Sequence, residues 1–309
     1  MFQKKRLLAG ALALVMGANL VTVGAFARGE SRSTSTQTSS PEETVYVNTY
    51  GGDSRTVDFN DHWRFNLGSG DADPNYNDSA WRDVDLPHDY SIEQEYSKSG
   101  EAESGYLLGG TGWYRKTFSI TPEWKNKVVS VNFGGVYMNA TVYLNGHELG
   151  FHPYGYTSFA FELPQEYLNY EGDNVLAVKV EHQTPSSRWY SGSGIYRPVW
   201  LYVGPEDGIL PEGVKVTVVD RDTVRVDVEQ RGEEAGEEML VDILDADDQT
   251  VASARGCHTT IQIPDAKLWD ADHPCLYRCR ARIRREGKLW DESSVSFGLR
   301  QIAWGSEGF

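Results

Sequence analysis

The stretch "ATVYLNGHELGFH" (Ala140–His152) decides how this chain folds. Ala140, Val142 and Leu144 alternate with Thr141 and Tyr143, the period of a strand with one apolar face. Asn145-Gly146 follows at once. The tightest hairpin turn needs positive φ at both central residues, and Asn-Gly supplies it at little steric cost. The segment therefore predicts two antiparallel strands joined at 145–146.

The alternation continues outward in both directions. In "KVVSVNFGGV" (Lys127–Val136), Val129, Val131 and Phe133 share a face. In "NVLAVKVEH", Leu176, Val178 and Val180 form the apolar face, and Val175, Ala177 and Lys179 are expected on the wetter one. Gly and Pro interrupt the pattern in "GPEDGILPEGV" (Gly204–Val214), which marks an expected domain boundary. Beyond it lie about seven short β-like runs, from "VKVTVVD" to "SSVSFGL", a spacing that suits an immunoglobulin-like sandwich. The first unit has more strands and longer loops, which suits a jelly roll. The fold expected is all-β, with a jelly-roll β-sandwich over residues 45–205 and an immunoglobulin-like β-sandwich over 206–299. The acidic run "RGEEAGEE" (Arg231–Glu238) is expected to be a solvated hairpin loop.

Composition agrees with this class. Among 309 residues there are 31 Gly, 9 Trp, 17 Tyr and 11 Phe, with no long Ala/Leu/Glu/Lys helical run. The formal charge of −16 disfavours nucleic acid and anionic membrane surfaces as partners. Cys275 and Cys279, four residues apart in an extended run, would sit about 13 Å apart, too far to bridge. Cys257 could reach one of them across strands, but three free thiols are the simpler reading. No metal-ligand spacing is present, so neither a metal nor a cofactor is expected.

The N-terminus is expected to be removed. Lys4, Lys5 and Arg6 precede an apolar run over Leu7–Val23, and Ala25-Phe26-Ala27 fits a peptidase site, so residues 1–27 read as a secretory signal peptide. Gly and Asn within the run argue against a membrane anchor. Residues 28–44, with "SRSTSTQTSSPEE", read as a disordered Ser/Thr-rich spacer. The expected location is secreted or at the surface of a bacterial cell.

Six stretches, in order, carry a resemblance: "FNDHWRFNLG", "WRDVDLPHDY", "GGTGWYRKTF", "NFGGVYMNATVYLNGHELGFHPYGYTSFAFEL", "GDNVLAVKV" and "RWYSGSGIYRPVWL". Together they resemble the N-terminal sugar-binding domain of glycoside hydrolase family 2, the β-galactosidase and β-glucuronidase family. "LWDADHPCLYRCRARI" and "SFGLRQIAW" resemble the end of its immunoglobulin-like domain. "GGTGWYRK" with "SGSGIYRPVWL" leans towards the β-galactosidases. The resemblance implies retaining hydrolysis of terminal β-galactosides in a full-length parent, with a carbohydrate as substrate. It also implies a catalytic barrel after these two domains, which residues 300–309 would begin. The family's two catalytic glutamates have no matching positions here, so no catalytic residue is assigned. A retaining glycosidase needs two carboxyls about 5–5.5 Å apart on a rigid scaffold, and a barrel that supplies them needs about 250 residues. The alternative is a stand-alone carbohydrate-binding or scaffold module.

Five residues are candidates for sugar contact. Trp189 and Tyr190 offer flat faces to a sugar ring, and Arg188 could hydrogen-bond hydroxyls. Gly109 and Gly110 permit close backbone approach, and the resemblance implies that their loop reaches towards the active site. In some relatives a longer version of the 183–190 loop carries an acidic metal ligand; Gln183–Tyr190 holds no carboxylate, so that site is not expected. His88 and Asp89 in "LPHDY" lack a neighbouring nucleophile and are expected to cap the sandwich at a domain junction. Arg197 is expected in an inter-domain ion pair and Trp200 in the core.

Overall fold

The computed structural model describes residues 55–187, 189–232 and 236–301. The expected signal peptide and spacer, Arg188 and residues 302–309 lie outside the described residues. The described residues belong to one compact unit.

The fold is all-β, a jelly-roll sandwich followed by an immunoglobulin-like one. Among the described residues, ten strands build the first sandwich: β1 (Thr56–Asp58), β2 (Trp63–Leu67), β3 (Arg82–Val84), β4 (Gly110–Phe118), β5 (Lys127–Phe133), β6 (Ala140–Leu144), β7 (His147–His152), β8 (Phe159–Glu162), β9 (Asn174–His182) and β10 (Val199–Pro205). They form a sheet of order β1-β10-β5-β8 and a second of order β3-β2-β4-β9-β6-β7. The second sandwich uses β11 (Ile209–Val218), β12 (Thr223–Gln230), β13 (Glu237–Leu244), β14 (Thr250–Arg255), β15 (His258–Gln262), β16 (Tyr277–Arg285) and β17 (Lys288–Phe297). Its sheets run β11-β12-β15 and β14-β13-β16-β17.

The pattern of alternation becomes the core. Val129, Val131 and Phe133 on β5 meet Ala140, Val142 and Leu144 on β6 and Leu176, Val178 and Val180 on β9, all with no exposed surface. The β6–β7 hairpin turns at Asn145 (φ 50°) and Gly146 (φ 85°), both left-handed as a two-residue turn requires.

Three expectations change. The outer face of β9 is not wet: Val175 and Ala177 are buried. Ala177 joins Ala72, Trp81 and Trp113 in a second small apolar cluster, with Tyr76 and Tyr143 against it. The segment after β2 folds over this face, and Arg115 is pinned beneath it by Asp78 (2.7 Å) and the Asp71 carbonyl (2.8 Å). Within the Gly204–Val214 stretch the chain leaves the first pair of sheets for the second: β10 runs to Pro205, β11 starts at Ile209, and a register shift follows between Ile209 and Val214. The acidic run does not close a hairpin: β12 pairs with β11 and β15, whereas β13 pairs with β14 and β16, so the chain crosses between sheets there. Trp200 is only half-buried and lies outside the core clusters.

The three cysteines are free thiols. Cys279 faces the second core, where burial pushes its thiol up to about 12.

Candidate functional site

Gly109, Gly110, Trp189 and Tyr190 lie at one end of the six-stranded sheet, and Arg188 falls outside the described residues. Gly110 opens β4 and pairs with His182, the last residue of β9. The chain then returns through 183–198, while 85–109 approaches from the other side. Gly109 is glycine for a steric reason. A Cβ there would lie 2.4 Å from the His182 carbonyl oxygen and 2.9 Å from its ring. Gly110 has φ of 116°, outside the range of most side chains. The carbonyls of this loop point into the scaffold. Leu108 accepts from Ser91 Oγ (2.8 Å) and Gln94 Nε2 (2.9 Å), Gly109 from Gln94 Nε2 (3.2 Å) and Gly110 from Tyr90 Oη (2.8 Å).

Trp189 and Tyr190 are held differently. Trp189 is 77% exposed, and its backbone N–H donates to Ser187 Oγ at 3.1 Å. Tyr190 is half-buried and donates its hydroxyl to Asp89 Oδ2 at 2.5 Å. Burial, and then the Asp89 carboxylate, push the Tyr190 phenol well above its ordinary value of 10. Tyr190 therefore stays neutral and offers a ring rather than a free hydroxyl. Asp89 Oδ1 accepts the N–H groups of Ser91 (2.9 Å) and Ser193 (2.8 Å), tying the two loops together.

The edge carries further aromatic surface that the sequence reading missed. Tyr96 is 78% exposed and close enough to Tyr190 to disfavour its ionisation. Tyr156 packs edge-on against Tyr137 (5.3 Å) and Tyr154 (5.6 Å). These residues come from loops that no periodic pattern marks.

His88 and Asp89 serve separate networks. His88 is buried, with Tyr114 Oη 2.7 Å from Nδ1, and Arg82 (3.1 Å) and Glu93 (3.3 Å) near Nε2. Arg197 is exposed and donates to the carbonyls of Gly134 (3.2 Å) and Tyr156 (3.4 Å), and among the described residues it makes no inter-domain ion pair. That role belongs to Arg55 and Asp291, 2.7 Å apart and both buried. Among the described residues, His62, Asp83 and Asp85 bring three potential metal-ligand atoms within 4.8 Å of one another. All three are exposed.

Burial lowers both His88 and His182 below the ordinary imidazole value of 6.5, against the opposing pull of Glu93 on the first and Asp89 on the second. The unfolded chain then binds more protons than the folded one once pH falls to about 6.5. Stability from these two residues is complete above that pH and declines as pH falls below it. Urea unfolding at a series of pH values from 8 to 5 is expected to show this loss, and the His88→Gln/His182→Gln double variant to flatten it.

The fold and this edge define a class first: a double β-sandwich that presents aromatic side chains from the loops at one end of a jelly roll. Residues 212–300 match the profile of glycosyl hydrolases family 2, and residues 76–186 that of the β-galactosidase second all-β domain. β-Galactosidase BoGH2A of Bacteroides ovatus is 36% identical over 80% of this chain and 32% of its own length. A putative β-glucuronidase of Formosa agariphila is 35% identical over 81% of this chain and 26% of its own. A solved glycosyl hydrolase family 2 member from Bacteroides cellulosilyticus superposes with TM-score 0.75 at 32% identity, covering 82% of this chain and 36% of that one. A β-glycosidase from Bacteroides vulgatus gives TM-score 0.70 at 35% identity, over 81% and 34%. The chain belongs to glycoside hydrolase family 2, and it spans about a third of the length of the relatives it matches.

Proposed function

We propose that this chain is the N-terminal, non-catalytic part of a secreted family 2 glycosidase that hydrolyses terminal β-galactosides with retention. The jelly roll lends one wall of the sugar pocket, and the second sandwich spaces it from a catalytic barrel that follows. One observation carries the reading: an exposed Trp189 beside a Tyr190 whose hydroxyl is already engaged. Such a pair recognises C–H faces rather than hydroxyl edges. In β-galactose the axial 4-hydroxyl leaves one face of the ring with a continuous patch of C–H groups, which suits an aromatic wall. The β-galactosidase among the relatives supports the galactoside, and the limited share of each relative that is matched supports a further domain. Gly109, Gly110 and Arg188 complete the wall in this reading, the glycines by letting the loop pack tightly on His182.

The chain by itself is expected to give no turnover of a chromogenic β-galactoside, and its reading frame to continue past codon 309 into a barrel with two strand-end glutamates. Trp189→Ala is expected to weaken galactoside binding about tenfold and to change stability by less than about 0.5 kcal/mol, because the side chain is exposed. Turnover that copurifies with the chain would overturn the non-catalytic assignment. A stop codon after Phe309 together with tight glycan binding would favour the stand-alone module.

A further inference from the structure

Beneath the aromatic edge runs a chain of hydrogen bonds that the sugar-wall reading does not by itself require. Its donors can be assigned one by one. Ser91 Oγ has a single proton and donates it to the Leu108 carbonyl at 2.8 Å. It must therefore accept from Ser193 Oγ, 2.5 Å away. Ser193, having donated there, accepts from His182 Nδ1 at 2.5 Å. His182 is thus the Nδ1–H tautomer, and its Nε2 is an acceptor. Ser186 Oγ lies 2.8 Å from Nε2 and donates to it, while Tyr137 Oη donates to Ser186 at 3.3 Å. His182 and Ser193 are buried; Ser186 is exposed on the 183–190 loop that carries Trp189 and Tyr190.

We propose that neutral His182 is the positioning residue of this loop, holding Ser186 from one ring nitrogen and Ser193 from the other so that Trp189 and Tyr190 keep one presentation. Ser186 and Ser193 bracket the two aromatic residues in sequence. The loop is thus pinned at both ends by a single imidazole and at its middle by the bond from Tyr190 to Asp89. The rest of the His182 surroundings serves the same end. The Tyr137 ring packs edge-on at 5.0 Å, and the Gly109 backbone closes the other approach. Among the described residues, Asp89 is the charged group whose field reaches the imidazole, and burial outweighs it, so the ring stays neutral. Protonation would place a hydrogen on Nε2 and leave the Ser186 hydroxyl proton facing a donor. Ser186 would then have to turn over, and the loop would be held at one end only.

That these aromatics meet a sugar rests on the function proposed above; that His182 orders them does not. Hydrogen exchange of the 309-residue chain over 183–194 is therefore measured beside titration with a methyl β-galactoside. Asparagine reproduces the Nδ1 donor and glutamine reaches the Nε2 position. His182→Asn is expected to keep Ser193 and to speed exchange of Ser186–Tyr190 about five- to tenfold, with His182→Gln restoring part of that protection. In the parent sequence the same amides are expected to lose protection, relative to strands β4 and β9, as pH falls through the lowered His182 value, below the ordinary 6.5. His182→Asn removes this pH step. If exchange speeds up but galactoside binding is absent in every variant, the positioning role stands and the sugar-wall reading falls. If galactoside binding depends on Trp189 while exchange of 183–194 is the same in the parent, Asn and Gln proteins at all pH values, the positioning role is overturned and the wall remains. Should His182→Asn fail to fold, Ser186→Ala tests the same pin from the exposed side and is expected to show the same faster exchange; unchanged exchange there counts against it.

Discussion

Asp291→Ala is expected to cost about 3–5 kcal/mol in guanidinium unfolding, the range for stripping one partner from a buried ion pair. Asp291 Oδ2 accepts from Arg55 at 2.7 Å and from the Ile209 N–H at 2.8 Å. The same Arg55 nitrogen donates to the Ile209 carbonyl (2.8 Å) and to Tyr202 Oη (2.9 Å), and Tyr202 donates to Ile209 as well (3.0 Å). Arg55 and Tyr202 belong to the first sandwich, Ile209 and Asp291 to the second, so one carboxylate fastens strands from both. Between them the chain runs only through Glu206–Gly208. Removing the carboxylate takes away the charge facing the Arg55 guanidinium and an acceptor from Ile209 in one step. Asp291→Asn keeps an oxygen at the site and is expected to lose less. Limited proteolysis supplies a second readout: cleavage between Pro205 and Ile209 should rise in Asp291→Ala. A variant with unchanged midpoint and unchanged cleavage would show that the junction is held elsewhere.

Gly194→Ala is expected to be comparably severe, at about 3 kcal/mol or more, and to act on the site as well. Gly194 has φ of 111°, and a Cβ there would lie 2.2 Å from Tyr114 Oη and 2.9 Å from the His88 carbonyl oxygen. The backbone cannot easily step aside, because Gly194 exchanges two hydrogen bonds with Tyr137 at 2.8 and 2.9 Å. Gly68→Ala is the control. Its φ is 110°, almost the same, but nothing lies within 4 Å of a Cβ there. It should cost only the backbone strain, about 1 kcal/mol. Equal losses in the two variants would mean that strain, not the clash with Tyr114, decides the effect. If the clash decides it, Gly194→Ala should also speed exchange across 183–194, which Gly68→Ala should leave alone.

Much of the fold was legible because period-two patterning reports directly which side chains share a face. Val129, Val131 and Phe133 all became core, Asn145-Gly146 became the turn, and seven runs after Gly204 became seven strands. Alternation names two faces but not what covers each. The outer face of β9 was therefore misjudged: Trp81 and Ala72 reach it from a segment with no period of its own. The acidic run was misjudged for a similar reason, because a hairpin and a crossing between sheets share the same turn chemistry and differ only in distant pairing. At the site, Trp189 and Tyr190 were visible as aromatic residues in a Ser/Gly-rich loop. Asp89, which holds Tyr190 across 101 residues, and the pair Arg55–Asp291, 236 residues apart, carry no local signal. Nor does anything in the sequence around Arg197 distinguish an inter-domain partner from what the structure shows, a side chain that donates to the Gly134 and Tyr156 carbonyls of the first sandwich.

A chemical-shift map of the isotope-labelled chain titrated with a methyl β-galactoside tests the central claim most directly. The account predicts shifts concentrated at the Trp189 indole and backbone, Tyr190, Gly109 and Gly110, with the outer sheets unmoved and the response lost in Trp189→Ala. Shifts confined to the second sandwich, or an edge that stays silent at sugar concentrations that saturate another site, would contradict it.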